Sequence, residues 1–173
     1  MIIQVEDFKN IKHKGGKPIS LSTYNKRDSN DICMNQLCKL LCYLRGLSIS
    51  YQNMHWTTKG SHFYGSHLLF ERLYDEVNND LDILGEKFVA FYNCNLSKLQ
   101  NLKHVQQFMN KCLIDDCPYK CAIIAEECFR GEISNTYDLF KQQGVLTLGL
   151  DDFLMSLDNK HENNLYLLLQ TIR

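Results

Sequence analysis

The sequence predicts an all-α protein built as a four-helix bundle with one long crossover connection. The chain has 173 residues but only two prolines and nine glycines, so few residues interrupt a helix. Apolar side chains recur at spacings of three and four, which is the period of helices that bury one face. A chain of this length with 45% hydrophobic residues can bury a single core without disulfides. We therefore expect one folded domain, residues 31–173, preceded by a tail.

Residues 1–30 are predicted to form a flexible, mixed-charge N-terminal tail. The segment is polar, and over residues 1–31 six basic side chains are offset by four acidic ones. The start of the chain lacks the basic segment and uninterrupted apolar run of a secretory signal. No apolar stretch is long enough to cross a membrane. We expect a cytoplasmic protein without membrane association.

Two long helices are predicted in the first half of the chain. An apolar pattern over residues 31–59 ends in Lys59-Gly60, a basic last turn followed by a capping glycine, and predicts the first helix. A second apolar stripe over residues 64–92 predicts the next helix.

The second half is predicted to hold one short helix and two long ones. Residues 93–118 form a long connection, with a short helix beginning near Ser97, a typical capping residue. The third long helix is predicted at Tyr119–Gln143, because a first-turn proline precedes it and a glycine ends it. The fourth runs from Leu150 to about Ile172, after an apolar loop over Val145–Leu150. Two short links and one long middle connection are the layout of ferritin-like bundles.

The eight cysteines allow two interpretations. In a cytosolic chain of this size, reduced thiols are expected rather than a disulfide framework. Cys38 and Cys42 are four residues apart, as are Cys117 and Cys121, so either pair could bind a soft metal from one helix face. The favoured interpretation is that cysteine serves here as a small buried apolar residue.

A row of potential metal ligands runs along one face of the second predicted helix. Its members lie at spacings of 4, 11 and 4 residues, at roughly 0°, 40°, 60° and 100° around the helix axis. A solvated face would look similar. However, histidine and carboxylate four residues apart can reach one metal ion. The row consists of His67, Glu71, Asp82 and Glu86, with Asp75 and Asn78 in the same arc.

The four ligands are symmetric about a point between residues 76 and 77. Glu71 and Asp82 are about 16 Å apart along the helix, far beyond a metal–ligand bond of roughly 2 Å, so one helix cannot close the site. Two copies packed antiparallel about a two-fold axis would bring His67 and Glu71 of one chain opposite Asp82 and Glu86 of the other. Two equivalent sites per dimer would result.

His55 is expected to complete this site. It lies near the end of the first helix and would lean over the site from the chain that supplies His67, with Trp56 beside it. Imidazole and carboxylate together suit Fe(II) or Zn(II), and carboxylates help to hold Fe(III). The sequence therefore predicts an iron site that turns over between Fe2+ and Fe3+, which Zn2+ could also occupy.

These residues resemble the Dps family of mini-ferritins. Shared features are a His-Trp pair, Gly60 and Phe63 in the turn, a histidine twelve residues after the first, and carboxylates at the same later spacings. The resemblance is strongest over residues 37–90. It implies a ferroxidase centre between subunits, in which one subunit supplies the two histidines and Glu71 and its partner supplies Asp82 and Glu86.

The resemblance also implies an assembly and a biological role. The family forms hollow dodecamers that oxidise Fe(II), usually with hydrogen peroxide, and store Fe(III) mineral, which protects against oxidative damage. Glu71 departs from the usual aspartate by one methylene, which could alter iron affinity or oxidant preference. Asp151 and Asp152 either line a pore through which iron enters the cage, as acidic residues do in relatives, or interact with a helix dipole.

Charge argues against nucleic acid as a main partner. The formal net charge is -1, and DNA binding in the family depends on basic tails that this chain lacks, so binding should be weak or absent at physiological salt. Two alternatives stay open at this point. One is a nucleoid-compacting or structural metal-binding cage without efficient ferroxidase activity, and the other is a dimeric helical metal-binding protein without a cage.

Overall fold

The structure, a computed structural model, describes residues 32–93 and 102–172. Within these ranges all regular structure is helical, which confirms the predicted all-α bundle of four long helices and one short one. The tail at residues 1–30 and the predicted start at Ser97 lie outside the described residues. The helices are α1 (Ile32–Thr57), α2 (Phe63–Tyr92), α3 (Leu102–Cys112), α4 (Pro118–Gln142) and α5 (Leu148–Thr171).

The long helices run up, down, down and up. Side-chain bonds fix these directions: α1 pairs with α4 through Tyr51 with Glu126 at one end and Gln36 with Glu132 at the other, so the two are antiparallel. Short links make α1 antiparallel to α2 and α4 antiparallel to α5. The long helices α2 and α4 are therefore parallel, and the short helix α3 lies between them in the chain.

Helix α1 lies at the centre of the packing, against α2, α3 and α4. Leu37, Leu40, Leu44 and Leu47 are fully buried along its length. Each buried leucine side chain contributes ~2 kcal/mol relative to an exposed one. The same helix carries His55 at its C-terminal end, so the candidate metal ligand is positioned by the best-packed element of the described structure.

Helix α3 docks on α1 at a glycine. The ring of Phe108, itself fully buried, lies over Gly46 so closely that a Cβ atom at position 46 would be 2.5 Å from Phe108 Cδ1. The Tyr43 ring packs 4.6 Å from the Phe108 ring, measured between centroids. The absence of a side chain at Gly46 therefore sets how closely α3 approaches α1.

Helix boundaries differ from the predicted ones by two residues at two places and by one residue at others. α1 ends at Thr57 rather than at residue 59, and the chain then turns at Gly60, which has φ +95°. The predicted apolar loop over Val145–Leu150 is wrong at its end, because α5 already begins at Leu148. The reason is a cap: the Thr147 hydroxyl accepts a hydrogen bond from the Leu150 N–H at 3.2 Å.

Long polar side chains bridge the seam between α2 and α5. Arg72 donates to Asn164 Oδ1, Lys160 donates to Asp80 Oδ1, and Lys87 donates to the Gly149 carbonyl oxygen. These bonds hold α2, the helix with the row of ligands, against the rest of the bundle. No helix among the described residues is long and apolar enough to span a membrane.

Candidate metal centre

His55 and His67 form a reciprocal pair across the turn between α1 and α2. Their rings stack with centroids 3.7 Å apart. The Nδ1 atom of His55 lies 2.9 Å from the carbonyl oxygen of His67, and Nδ1 of His67 lies 3.0 Å from the carbonyl oxygen of His55. The structure thus brings the two predicted histidines together, although they are twelve residues apart in sequence.

The carbonyl partners fix the protonation pattern of both rings. A carbonyl oxygen only accepts hydrogen bonds, so each Nδ1 carries a hydrogen and donates it. In the neutral ring the other nitrogen, Nε2, then presents a lone pair. Metal-binding histidines usually have this arrangement, in which a backbone carbonyl orients the ring and sets its tautomer. Both rings are therefore prepared to offer Nε2 to a metal ion.

Aromatic side chains surround the histidine pair. Tyr74 meets the His55 ring edge-on at 5.4 Å, and Phe63 lies 5.1 Å from the His67 ring. Trp56, the neighbour of His55, is 66% exposed. His55 is buried and His67 is half-buried, so the pair is only partly accessible to solvent.

The middle of the predicted row lies along the surface of α2. Glu71 is half-buried one turn after His67, and Asp75 is exposed. Asn78 accepts a hydrogen bond from the Ser48 hydroxyl at 2.6 Å. Burial raises the pKa of the nearby Tyr74 hydroxyl, and the negative charges of Asp75 and Glu71 raise it further. The row therefore produces a negative potential beside the histidine pair.

Asp82 and Glu86 lie on a groove at the other end of α2. Both are exposed, and the groove between α1 and α2 has a volume of about 650 Å³. Apolar side chains of both helices line it together with Arg45, including Leu41 and Val89. Two carboxylates on an apolar groove form an open surface that offers oxygen ligands but no imidazole.

A single chain does not assemble the predicted ligand set. Across residues 32–93 and 102–172, no three His, Cys, Asp or Glu side chains converge on a point that could hold a metal ion. The structure brings His55 and His67 together and leaves Asp82 and Glu86 at the far end of the same helix.

Asp151 lies in the first turn of α5, and Asp152 directly follows it. Asp151 is half-buried and its N–H donates to the Thr147 carbonyl, while Asp152 is exposed. Acidic side chains at this end of a helix interact favourably with its dipole. The interaction with the helix dipole requires only this chain, whereas a pore would require neighbouring subunits.

A buried polar network in the bundle core was not predicted from the sequence. Glu126 on α4 accepts hydrogen bonds from the Tyr51 hydroxyl and from His161 Nδ1, each at 2.6 Å. All three side chains are fully buried. A signal was present: Glu126 and His161 occupy positions on the apolar stripes of their helices, where a polar residue must find a partner.

The described cysteines agree with the favoured interpretation of buried thiols. Five of the seven described thiols are buried, and Cys117 and Cys128 are half-buried. Burial and the neighbouring Cys128 thiol raise the pKa of Cys112 to about 12. A hydrogen bond with Cys38, together with burial, raises the pKa of Cys42. Thiols that stay protonated at neutral pH are poor metal ligands and poor nucleophiles.

Comparisons with known proteins place the fold. No protein-family model matches the sequence, and neither does any curated protein. Among solved structures, DpsC from Streptomyces coelicolor matches with a TM-score of 0.69 and 20% identity, over 82% of this chain and 83% of that one. A Dps protein from Vibrio cholerae O1, described as a member of a broad superfamily of ferritin-like diiron-carboxylate proteins, matches with a TM-score of 0.70 and 14% identity. That match covers 88% of this chain and 92% of that one. The described bundle therefore has the ferritin-like fold of Dps proteins.

Proposed function

We propose that this chain is a Dps-type mini-ferritin subunit that binds and oxidises Fe(II) at a site shared by two copies of the chain. The observation that carries the proposal is the reciprocal histidine pair. Two rings held by backbone carbonyls, each with Nε2 available, form half of an iron site. Glu71, one turn after His67, adds a carboxylate on the same side.

The second half of the site would come from the partner subunit. Two α2 helices packed antiparallel about the point between residues 76 and 77 would bring Asp82 and Glu86 of the partner subunit to the histidine pair. The surface is suited to such packing: Leu68 and Val89, which are 43% and 41% exposed, lie in the same arc of α2 as the ligands. A site built this way explains why one chain alone does not close it.

The ligand set fits iron as a substrate that changes charge. Imidazoles bind Fe(II), while three carboxylates stabilise the Fe(III) that forms. Each Fe(II) loses one electron. One hydrogen peroxide molecule takes two electrons and two protons and leaves as two water molecules. Zn2+ would bind the same ligands without turnover, because it has no accessible second oxidation state.

Storage and protection follow from assembly into a hollow dodecamer built from two-fold dimers. Fe(III) would collect as mineral inside, and the joint consumption of iron and peroxide in the cytoplasm would limit oxidative damage. Asp151 and Asp152 are the candidates for a pore that admits iron. We propose that DNA binding is weak or absent, since the tail at residues 1–30 has little net positive charge.

Iron oxidation by a matched set of histidine variants tests the site. Fe(II) and hydrogen peroxide are added to the purified protein, and Fe(III) absorbance is followed. We expect the rapid phase of Fe(II) oxidation in His55→Ala/His67→Ala to be slower by about 100-fold or more, because loss of both imidazoles removes half of the site. The control is His62→Ala/His104→Ala, which removes two histidines outside the predicted site. Equal rates in both double variants would overturn the assignment.

Subunit mixing tests the shared construction. A dimer of two Asp82→Ala subunits has a defective carboxylate half in both of its sites. A dimer of two His67→Ala subunits has a defective histidine half in both. Mixed dimers pair the intact half of one chain with the intact half of the other, so one of the two sites is whole. We expect activity to return on mixing after dissociation and reassembly. No recovery would contradict a site built from two subunits.

A further inference from the structure

Two cysteine side chains meet where the end of α3 packs against α4. Cys112, the last residue of α3, is fully buried, and Cys128 on α4 is half-buried. A hydrogen bond joins the two side chains. Spacing along the sequence did not pair them, because they lie on different helices. The pair has no place in the candidate metal centre, and its chemistry is that of two thiols in contact.

The Cys128 sulfur also has a cationic partner. Lys111, exposed at the end of α3, donates a hydrogen bond to Cys128, and this bond raises the pKa of the Lys111 ammonium group. A lysine beside a cysteine stabilises the thiolate, which is the form that attacks peroxides. Cys128 therefore combines a cationic neighbour with partial access to solvent, the two features of a reactive cysteine.

Cys112 has the complementary properties. Burial raises its pKa to about 12, and the negative charge of the Cys128 sulfur and the hydrogen bond between them contribute to the shift. Cys112 therefore keeps its hydrogen and donates it to Cys128. Oxidation of Cys128 to a neutral sulfenic acid would remove that negative charge, so Cys112 would lose its proton more easily after the first step than before it.

A third thiol close to the pair is held differently. Cys121, also on α4 and buried, donates its hydrogen to the carbonyl oxygen of Asp115 at 3.1 Å. Its charge adds to the causes that raise the pKa of Cys112, so it lies in the same neighbourhood. Because its hydrogen bond is directed to the backbone, Cys121 provides a matched control for the pair.

We propose that Cys112 and Cys128 form a peroxide-reactive dithiol, in which Cys128 attacks hydrogen peroxide and Cys112 then closes a disulfide between α3 and α4. Two sulfur atoms that already share a hydrogen bond need to approach each other to about 2 Å to form this bond. The reaction uses no iron, so it does not rest on the proposed iron oxidation. It would consume peroxide and tie α3 covalently to α4.

The two steps balance in atoms and electrons. The Cys128 thiolate attacks one oxygen of hydrogen peroxide, the O–O bond breaks, and the hydroxide that leaves takes up the proton that Cys128 released. Cys128 is then a sulfenic acid. The Cys112 sulfur attacks it, the S–O bond breaks, and the Cys112 hydrogen leaves with the hydroxyl group as a second water molecule. The thiols lose two electrons and peroxide gains two. A small-molecule dithiol restores the pair by exchange.

Peroxide treatment of the iron-free full chain tests the dithiol. Iron is removed with a chelator, an equimolar amount of hydrogen peroxide is added, and the remaining thiols are alkylated. We expect the loss of two thiols per chain and, by tandem mass spectrometry of tryptic peptides, a link between Cys112 and Cys128. The control Cys117→Ser/Cys121→Ser removes the other thiols from the two linked peptides and should form the link at the wild-type rate.

Single variants separate the two roles. In Cys112→Ala, a sulfenic acid at Cys128 should accumulate and react with dimedone, whereas Cys128→Ala should leave Cys112 reduced. Lys111→Met removes the cation and should slow the loss of thiols by about tenfold, because less thiolate is then present. An unchanged rate in Lys111→Met would overturn the role of the lysine.

The wild-type result stands even if a buried variant does not fold. No loss of thiols in the wild-type chain would overturn the dithiol, and so would a link between any other two cysteines. Oxidation of Cys112 in Cys128→Ala at the wild-type rate would overturn the assignment of Cys128 as the attacking thiol. A purely structural role for the two cysteines would leave the thiol count unchanged by peroxide.

Discussion

At the scale of single residues, Glu71 determines how the histidine pair would be completed. It lies one turn after His67 on α2, and its side chain is half-buried. Resemblance to the Dps family implies an aspartate at this position. The additional methylene moves the carboxylate outward unless the side chain folds back. If the proposed iron chemistry differs from that of Dps proteins with aspartate at this position, the length of this side chain is the expected cause.

Substitution of Glu71 measures that contribution. We expect Glu71→Ala to weaken Fe(II) binding by at least about tenfold, the lower end of what removing a supporting group costs a metal site. Glu71→Asp should retain binding because it keeps the carboxylate. Anaerobic titration with Fe(II) measures the affinity, with Glu127→Ala, an exposed glutamate of α4 outside the row, as the control. An equal loss in Glu71→Asp and Glu71→Ala would mean that the metal lies beyond the reach of a shorter side chain.

The sequence pointed to the candidate ligands on the surface of α2 but not to the buried network. The spacing of His67 and Glu71 on one helix is visible because helix geometry alone places them together. The stacking of His55 on His67 depends on the path of the turn between helices, which the sequence only suggested. The contact between Tyr51 and Glu126 spans 75 residues and depends on how α1 and α4 pack. No local pattern contains that information.

At the scale of helices, the contact of α3 with α1 depends on one glycine. Gly46 is in the interior of α1, where glycine costs roughly 1 kcal/mol relative to alanine. The close approach of Phe108 explains its presence. Gly131 in α4 is the natural comparison, because it is exposed and a Cβ atom added there would meet no neighbouring atom within 4 Å.

The two glycines should respond in opposite directions to the same substitution. We expect Gly46→Ala to destabilise the fold by ~1–3 kcal/mol, the usual cost of forcing a methyl group into a packed core. Gly131→Ala should stabilise it by up to about 1 kcal/mol, because alanine has the higher helix propensity. Thermal or urea unfolding of the two variants gives the comparison. A Gly46→Ala protein at least as stable as wild type would contradict the close packing of α3.

The presence of each long helix could be predicted from the sequence, whereas the residues at which the helices begin and end could be predicted less well. Long stretches of apolar side chains at helical spacing identified all four long helices. The start of α5 was misplaced because Thr147 lies inside an apolar run, and its capping role depends on a single hydrogen bond to Leu150. Capping is decided by backbone conformation at one residue, which a pattern averaged over several turns does not resolve.

At the scale of the whole molecule, the candidate metal centre requires an assembly. The histidine pair and the carboxylates Asp82 and Glu86 lie on one face of the bundle, at opposite ends of α2. In the proposed site, a second copy of the chain would bring one group to the other. The open groove beside Asp82 and Glu86 and the exposed apolar side chains of α2 would form the surface for that contact.

Particle mass and DNA retention test the assembly. We expect a dodecamer of about 240 kDa, twelve times the 20.2 kDa chain, by mass photometry or light scattering. In a mobility-shift experiment at about 0.15 M salt, duplex DNA should not be retained, because the tails bring little net positive charge. A dimer-sized particle would contradict the cage. Tight retention that is lost on deleting residues 1–28 would contradict weak DNA binding.

The reciprocal bonds of His55 and His67 bear on how such a site can evolve. Each ring is oriented by the main-chain carbonyl of the other residue, not by its side chain. Substitution of either histidine removes one ligand and the ring stacking, but leaves the carbonyl that aims the remaining ring. The two residues are therefore neighbours in space, yet either one can be substituted without loss of the bond that orients the other. In the proposed iron site, the ligands could therefore be exchanged one at a time without loss of the bonds that aim the ligands that remain.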